Sequence, residues 1–145
     1  LKEALDPAFK EYASQIIKNA AALANELAAN GFNLVTGGTE NHLMLIDLRN
    51  KGVTGKQMAK AMDKAGIVCN YNSVPNDDRK PFDPSGIRIG TASVTTRGFQ
   101  EEEMKKIAGW MTKIALDHDN EELLLTIEKE VRALCDSLPV PKVFV

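Results

Sequence analysis

The sequence is poor in most of the features that mark nucleic-acid, membrane and disulfide-stabilised proteins. Lys and Arg total 18 against 20 Asp and Glu, so the formal charge of −2 supplies no positive field for a polyphosphate or an anionic membrane surface. No apolar run approaches the roughly 18 residues that span a bilayer. The opening Leu-Lys-Glu-Ala-Leu-Asp has neither a basic nor an apolar leader-like stretch. These absences predict a cytoplasmic protein with no nucleic-acid and no membrane partner. Only Cys69 and Cys135 carry thiols, far apart in the chain and beside apolar or β-branched residues, which suits reduced, buried cysteines better than a disulfide framework.

Catalytic signatures are also missing. There is no Walker phosphate loop, no Gly-x-Gly-x-x-Gly fingerprint, no Gly-x-Ser-x-Gly elbow, no Cys-x-x-Cys and no His-Glu-x-x-His. The two histidines, His42 opening an apolar strand and His118 in a polar segment, have no neighbours suited to a metal site. Glu101-Glu102-Glu103 reads as the first turn of a helix, where orphan N–H groups favour carboxylates.

What remains is an ordinary domain. A length of 145 residues with 43% hydrophobic and 26% charged residues is enough for one core without staples. Phe9, Tyr12, Ile16, Ala20, Leu23 and Leu27 recur at helical steps and predict a helix from Pro7 to Asn30, stopped by Gly31. Residues 32–35 and 42–48 read as strands joined by the turn Thr36-Gly37-Gly38-Thr39-Glu40-Asn41, an antiparallel hairpin. Thr54 caps a helix to about Ala65, with Met58, Ala61 and Met62 buried and Gly66 after its end. A third strand over 67–71 completes a strand–helix–strand crossover. Residues 72–85 hold three prolines and read as a long loop, a kind of segment that is often functional. A fourth strand spans 86–91, and two helices follow, roughly Gln100 to Leu116 and Glu121 to Ser137, before a Pro-containing tail. The order predicts an α/β fold of the α+β two-layer kind, a small mixed sheet with helices packed on it.

Arg88 stands out. Alternation puts Ile87 and Ile89 on one face of the fourth strand and Arg88 on the other. A guanidinium desolvated there would need an anionic partner, and its planar fork suits a carboxylate held by two hydrogen bonds. A local aspartate, Asp77, Asp78 or Asp83, is the alternative partner.

These residues also carry a resemblance. Asn72-Ser-Val-Pro-Asn-Asp77, Pro81-Phe82, Ser85-Gly-Ile-Arg88-Ile-Gly-Thr91 and Thr96-Arg-Gly-Phe99 resemble the C-terminal region of serine hydroxymethyltransferases. Gly37-Gly-Thr-Glu-Asn-His42 and Ala108-Gly-Trp110 fit the same family, closest to its bacterial type. The resemblance implies that residues 1–145 are the C-terminal small domain of an enzyme of the aspartate-aminotransferase fold type, fold type I of the pyridoxal-phosphate enzymes. Such enzymes interconvert serine plus tetrahydrofolate and glycine plus 5,10-methylenetetrahydrofolate, and are commonly dimers or larger. The cofactor, pyridoxal 5′-phosphate, and its Schiff-base lysine then belong to a large domain outside this chain, which would hold no catalytic residue and be inactive alone. Carried over by position, Arg88 matches the clamp on the amino-acid carboxylate. Asn72 and Lys80-Pro81-Phe82 match positions that contact folate, with Lys80 where the family commonly has Ser. Asn41-His42 match a pair with a structural role. Two other readings are a free-standing small-molecule binding or interaction module and the small domain of another fold type I enzyme.

Overall fold

The structure, a computed structural model, describes residues 2–141. After a short 3-10 turn at Glu3–Leu5 comes α1, Pro7–Ala29. The Asp6 carboxylate accepts from the Ala8 amide at 2.9 Å and Pro7 occupies the first turn, where its missing N–H costs nothing. At the other end Gly31 turns left-handed (φ 76), and the Gly31 and Phe32 amides donate to the carbonyls of Ala28 and Leu27. Then follow β1 (Asn33–Leu34), β2 (Leu43–Asp47), α2 (Gly55–Lys64), β3 (Asn70–Asn72), β4 (Gly86–Gly90), α3 (Ala92–Thr96), α4 (Glu101–Leu116) and α5 (Glu121–Ser137). The remainder of the tail, residues 142–145, lies outside the described residues.

The hairpin stands as expected: Asn33 pairs with Asp47 and Leu34 with Ile46. The sheet order is β1-β2-β4-β3 with every pairing antiparallel, which corrects the mixed sheet expected from the crossover. β2 and β3 do run the same way, as a strand–helix–strand unit requires. β4 enters between them and runs opposite to both, so no strand has a parallel neighbour.

β3 begins three residues later than its apolar run suggests. The Ile67 amide is already used, donating to the Met62 carbonyl at 2.8 Å to close α2, while Gly66 takes φ 78. Val68 is exposed and Cys69 turns inward against Met62, where burial pushes its thiol up to about 11 and leaves it protonated. α3 carries no apolar stripe to announce it. It is held from outside, because the fully buried Asn19 of α1 donates to Thr95 Oγ1 (2.9 Å) and to the Phe99 carbonyl (2.8 Å).

One face of the sheet carries the core. Leu34, Ile46, Met44 and Ile87 pack under α1, α2 and α4 with Leu27, Met58, Met62 and Met111. α5 adds Leu124, Ile127 and Val131, and Trp110 Nε1 donates to Glu130 at 2.6 Å to tie α4 to it. The acidic run 101–103 is indeed a helix start: Glu103 accepts from the Gln100 amide, which holds its carboxyl below the usual range.

Candidate functional site

Register determines what the other face presents. Leu45, Arg88 and Asn70 lie side by side across β2, β4 and β3, and Asp47, Gly86 and Asn72 form the next row. Arg88, Asn70 and Gly90 are exposed; Leu43, Leu45 and Asn72 are half-buried. Arg88 and Asn72 are therefore diagonal neighbours on one face, within reach of a single small ligand.

The desolvation anticipated for Arg88 does not arise in this chain. Its guanidinium is exposed, and its hydrogen bond is from Nη2 to the neutral Asn70 Oδ1 at 3.3 Å. Among the described residues no carboxylate pairs with it, which removes the local-aspartate alternative. Asp77 and Asp83 are committed elsewhere. Asn70 was legible as Arg88's partner only through the register, since nothing in its local sequence marks it.

Asp77 is instead the hub of the 72–85 loop. Its Oδ2 accepts from the amides of Val74 (3.2 Å) and Ser85 (3.0 Å), and its Oδ1 from the Arg79 amide (3.0 Å) and the Ser85 hydroxyl (2.7 Å). These bonds, led by the Ser85 amide, hold its carboxyl well below the ordinary carboxylate range. Farther along, Asp83 pairs with Arg79, and its neighbours Thr54 and Arg79 hold its carboxyl below the usual range. Pro84 and Ser85 are buried, the Gly55 amide donates to the Pro84 carbonyl at 2.7 Å, and Leu48 N–H donates to the Ser85 carbonyl at 2.9 Å. A proline-rich stretch thus becomes an ordered loop through polar bonds rather than a core of its own.

Lys80, Pro81 and Phe82 form the exposed tip of that loop. Lys80 Nζ lies 5.9 Å from the Phe82 ring centroid. Among the described residues no hydrogen bond joins the tip to Arg88 or Asn72, so two of the expected site positions lie on the sheet face and three at the loop's end.

A second cluster escaped the sequence reading. Asp47, buried at the end of β2, receives Arg49 Nε at 3.1 and 3.0 Å and Nη2 at 2.6 Å. The guanidinium holds the Asp47 carboxyl below its usual range. Arg49 Nη1 also donates to the Asn76 carbonyl, at 3.2 Å. An acid closing the apolar run Leu43-Met-Leu-Ile-Asp47 was the available signal, because a buried carboxylate needs a partner.

Replacing Asp77 with Asn should lower stability at pH 7 by about 1 kcal/mol, because a neutral amide replaces a charge that accepts four hydrogen bonds. Since the folded-state pKa is depressed, this contribution is present above the unfolded value of about 4 and fades as pH falls below it. Urea unfolding of wild type and Asp77→Asn should therefore show the full gap at pH 7 and a narrower one at pH 3, closing only as pH falls further through the depressed folded-state pKa. An equal gap at both pH values would show that the carboxylate charge is not the cause.

The described residues do not fit pyridoxal phosphate. A Schiff-base lysine works from an enclosed, desolvated amine. Here every described lysine is exposed except the half-buried Lys51 and Lys56, and Lys51 Nζ is engaged by the Asn30 carbonyl at 2.8 Å. No group of His, Cys, Asp or Glu suited to a metal ion occurs among the described residues, and no helix among them is long and apolar enough to cross a membrane.

Comparison with known proteins agrees with the motifs. The family model for serine hydroxymethyltransferase matches residues 1–111. A serine hydroxymethyltransferase of Desulfotalea psychrophila is 57% identical over 141 residues, covering 97% of this chain and 33% of the relative. Those of Acidothermus cellulolyticus and Sorangium cellulosum are 53% and 52% identical, again covering 97% of this chain but 34% and 33% of the relatives. The chain spans about a third of the length of the curated relatives it matches and aligns to their C-terminal part. The ordered motifs, the α/β fold and these alignments agree, and the chain belongs to the serine hydroxymethyltransferase family.

Proposed function

We propose that this chain is the C-terminal small domain of a cytoplasmic, homodimeric serine hydroxymethyltransferase that interconverts serine plus tetrahydrofolate and glycine plus 5,10-methylenetetrahydrofolate. The observation that carries the reading is Arg88: an exposed guanidinium on a rigid central strand, steadied by one neutral amide and unmatched by any described carboxylate. Such a group is ready to take the carboxylate of an amino acid through two charge-assisted hydrogen bonds. Fixing that carboxylate limits rotation of the substrate and orients the bonds at its α-carbon, a contribution of position rather than of proton transfer.

Asn72, in the neighbouring row, and the Lys80–Phe82 tip supply a polar amide and an aromatic face for one wall of a folate slot. At Lys80 the backbone, not a hydroxyl, is the family-like contact. The wall needs an opposite side, and pyridoxal 5′-phosphate needs a lysine; both are assigned to the part of the enzyme beyond this chain. It follows that the 145 residues alone, supplied with serine, tetrahydrofolate and pyridoxal phosphate, should release no glycine above background. Measured turnover by the isolated chain would overturn the assignment, whereas restored turnover on joining it to a family large domain would support it.

A further inference from the structure

We infer that Arg49 is a positioning residue: bridging the buried Asp47 carboxylate and the Asn76 carbonyl, it fixes the rising limb of the 72–85 loop and keeps the folate wall in its binding shape. The inference rests on the folate reading above and adds a residue remote from the proposed ligand contacts.

The two limbs of the loop are held differently. The returning limb is tied to the body of the domain twice, by the Gly55 amide to the Pro84 carbonyl and the Leu48 amide to the Ser85 carbonyl. The rising limb has the internal bonds of Asp77 and the packing of the buried Val74 side chain. Its hydrogen bond to the sheet side is Arg49 Nη1 to the Asn76 carbonyl. Asn76 adopts φ 54, a left-handed conformation that is sparsely populated outside glycine and is retained where surrounding bonds specify it. Arg49 can hold that carbonyl in a fixed place because its own fork is locked on both oxygens of Asp47, whose side chain is 7% exposed and sits in the row of Asn72. The clamp thus links the row that carries Asn72 to the limb that leads to Lys80. An ordered wall saves the entropy of ordering it when the ligand arrives.

Arg49→Lys in the full-length enzyme is the informative variant. It keeps a cation beside Asp47, so the fold survives, but a point charge cannot span the carboxylate and the Asn76 carbonyl together. Tetrahydrofolate affinity should fall about fivefold, as for one lost hydrogen bond, with serine affinity of the folate-free enzyme unchanged. Hydrogen exchange at residues 74–79 should quicken while the helices keep their protection. Asn72→Ala, measured in parallel, tests the folate reading itself. If Asn72→Ala weakens folate binding and Arg49→Lys leaves it intact, or weakens serine and folate alike, the positioning role is wrong. If Asn72→Ala changes nothing, the folate slot is misplaced and the inference falls with it.

Discussion

Arg88→Ala in the full-length enzyme should reduce kcat/KM for serine by roughly a hundredfold or more while leaving the fold intact. Two charge-assisted hydrogen bonds to a carboxylate contribute about 3 kcal/mol together, which is about two decades in affinity. The scaffold loses little, because the side chain is exposed and its hydrogen bond goes to the neutral amide of Asn70. Surface substitutions of that kind change stability by about 0.5 kcal/mol or less. Arg88→Lys should restore part of the loss, since an ammonium supplies the charge but not the planar fork. Steady-state kinetics with serine, with a thermal melt as control, separates these effects. Unchanged serine kinetics in Arg88→Ala would refute the carboxylate clamp, and a parallel collapse of the melt would show that Arg88 is structural.

Gly55→Ala should be among the most damaging single-methyl changes available in this domain. Gly55 is the first residue of α2, where an alanine ordinarily favours the helix. Here the added Cβ would stand 2.1 Å from the Gly86 carbonyl oxygen and 3.0 Å from that of Pro84, and both are backbone atoms. Relief requires α2 to withdraw from β4, which opens the contact of Met58 and Met62 with Ile87 and strains the Gly55 amide bond to Pro84. Overpacking of this severity costs about 3 kcal/mol, near the upper end of its usual range, and so about 10 °C in melting temperature for a domain of this size. Circular-dichroism melts of the isolated domain provide the measurement. A melting temperature equal to or above that of wild type would mean that helix propensity outweighs the clash.

Much of the fold was legible because its signals are local. The Pro7 start, the Gly31 and Gly66 stops and the Thr54 cap can all be read within a few residues, and the ends of the helices they bound agree with them closely. The sheet was harder to read. Parallel direction between β2 and β3 is implied by the crossover, yet nothing within 67–85 reveals that β4 will separate them. The start of β3 was masked by Ile67, an apolar residue with high strand preference that serves instead as the last cap of α2.

The site divides in the same way. Arg88 was visible because a charge between two isoleucines is unusual, and its face followed from alternation alone. The arginine's exposure was not visible, because whether a sheet face is covered depends on where the helices pack. Asp77 stood inside a recognisable motif, but its part as hub of four hydrogen bonds depends on Ser85 returning to it eight residues later. Arg49 lay outside every motif, and its meaning depends on Asn76, far along the chain.

The placement of β4 sets the order in which the sheet can assemble. Until residue 86 has been made, β3 has no strand to pair with and the β1–β2 hairpin is all the sheet there is. At the roughly 5–20 residues per second of protein synthesis, the nascent domain spends seconds with one edge of β2 open and the side of α2 that β4 covers exposed. The strand that carries Arg88 is also the one that joins the two halves of the sheet. Completion of the sheet and presentation of the guanidinium are therefore a single event, and a partly built sheet cannot display the Arg88 face early.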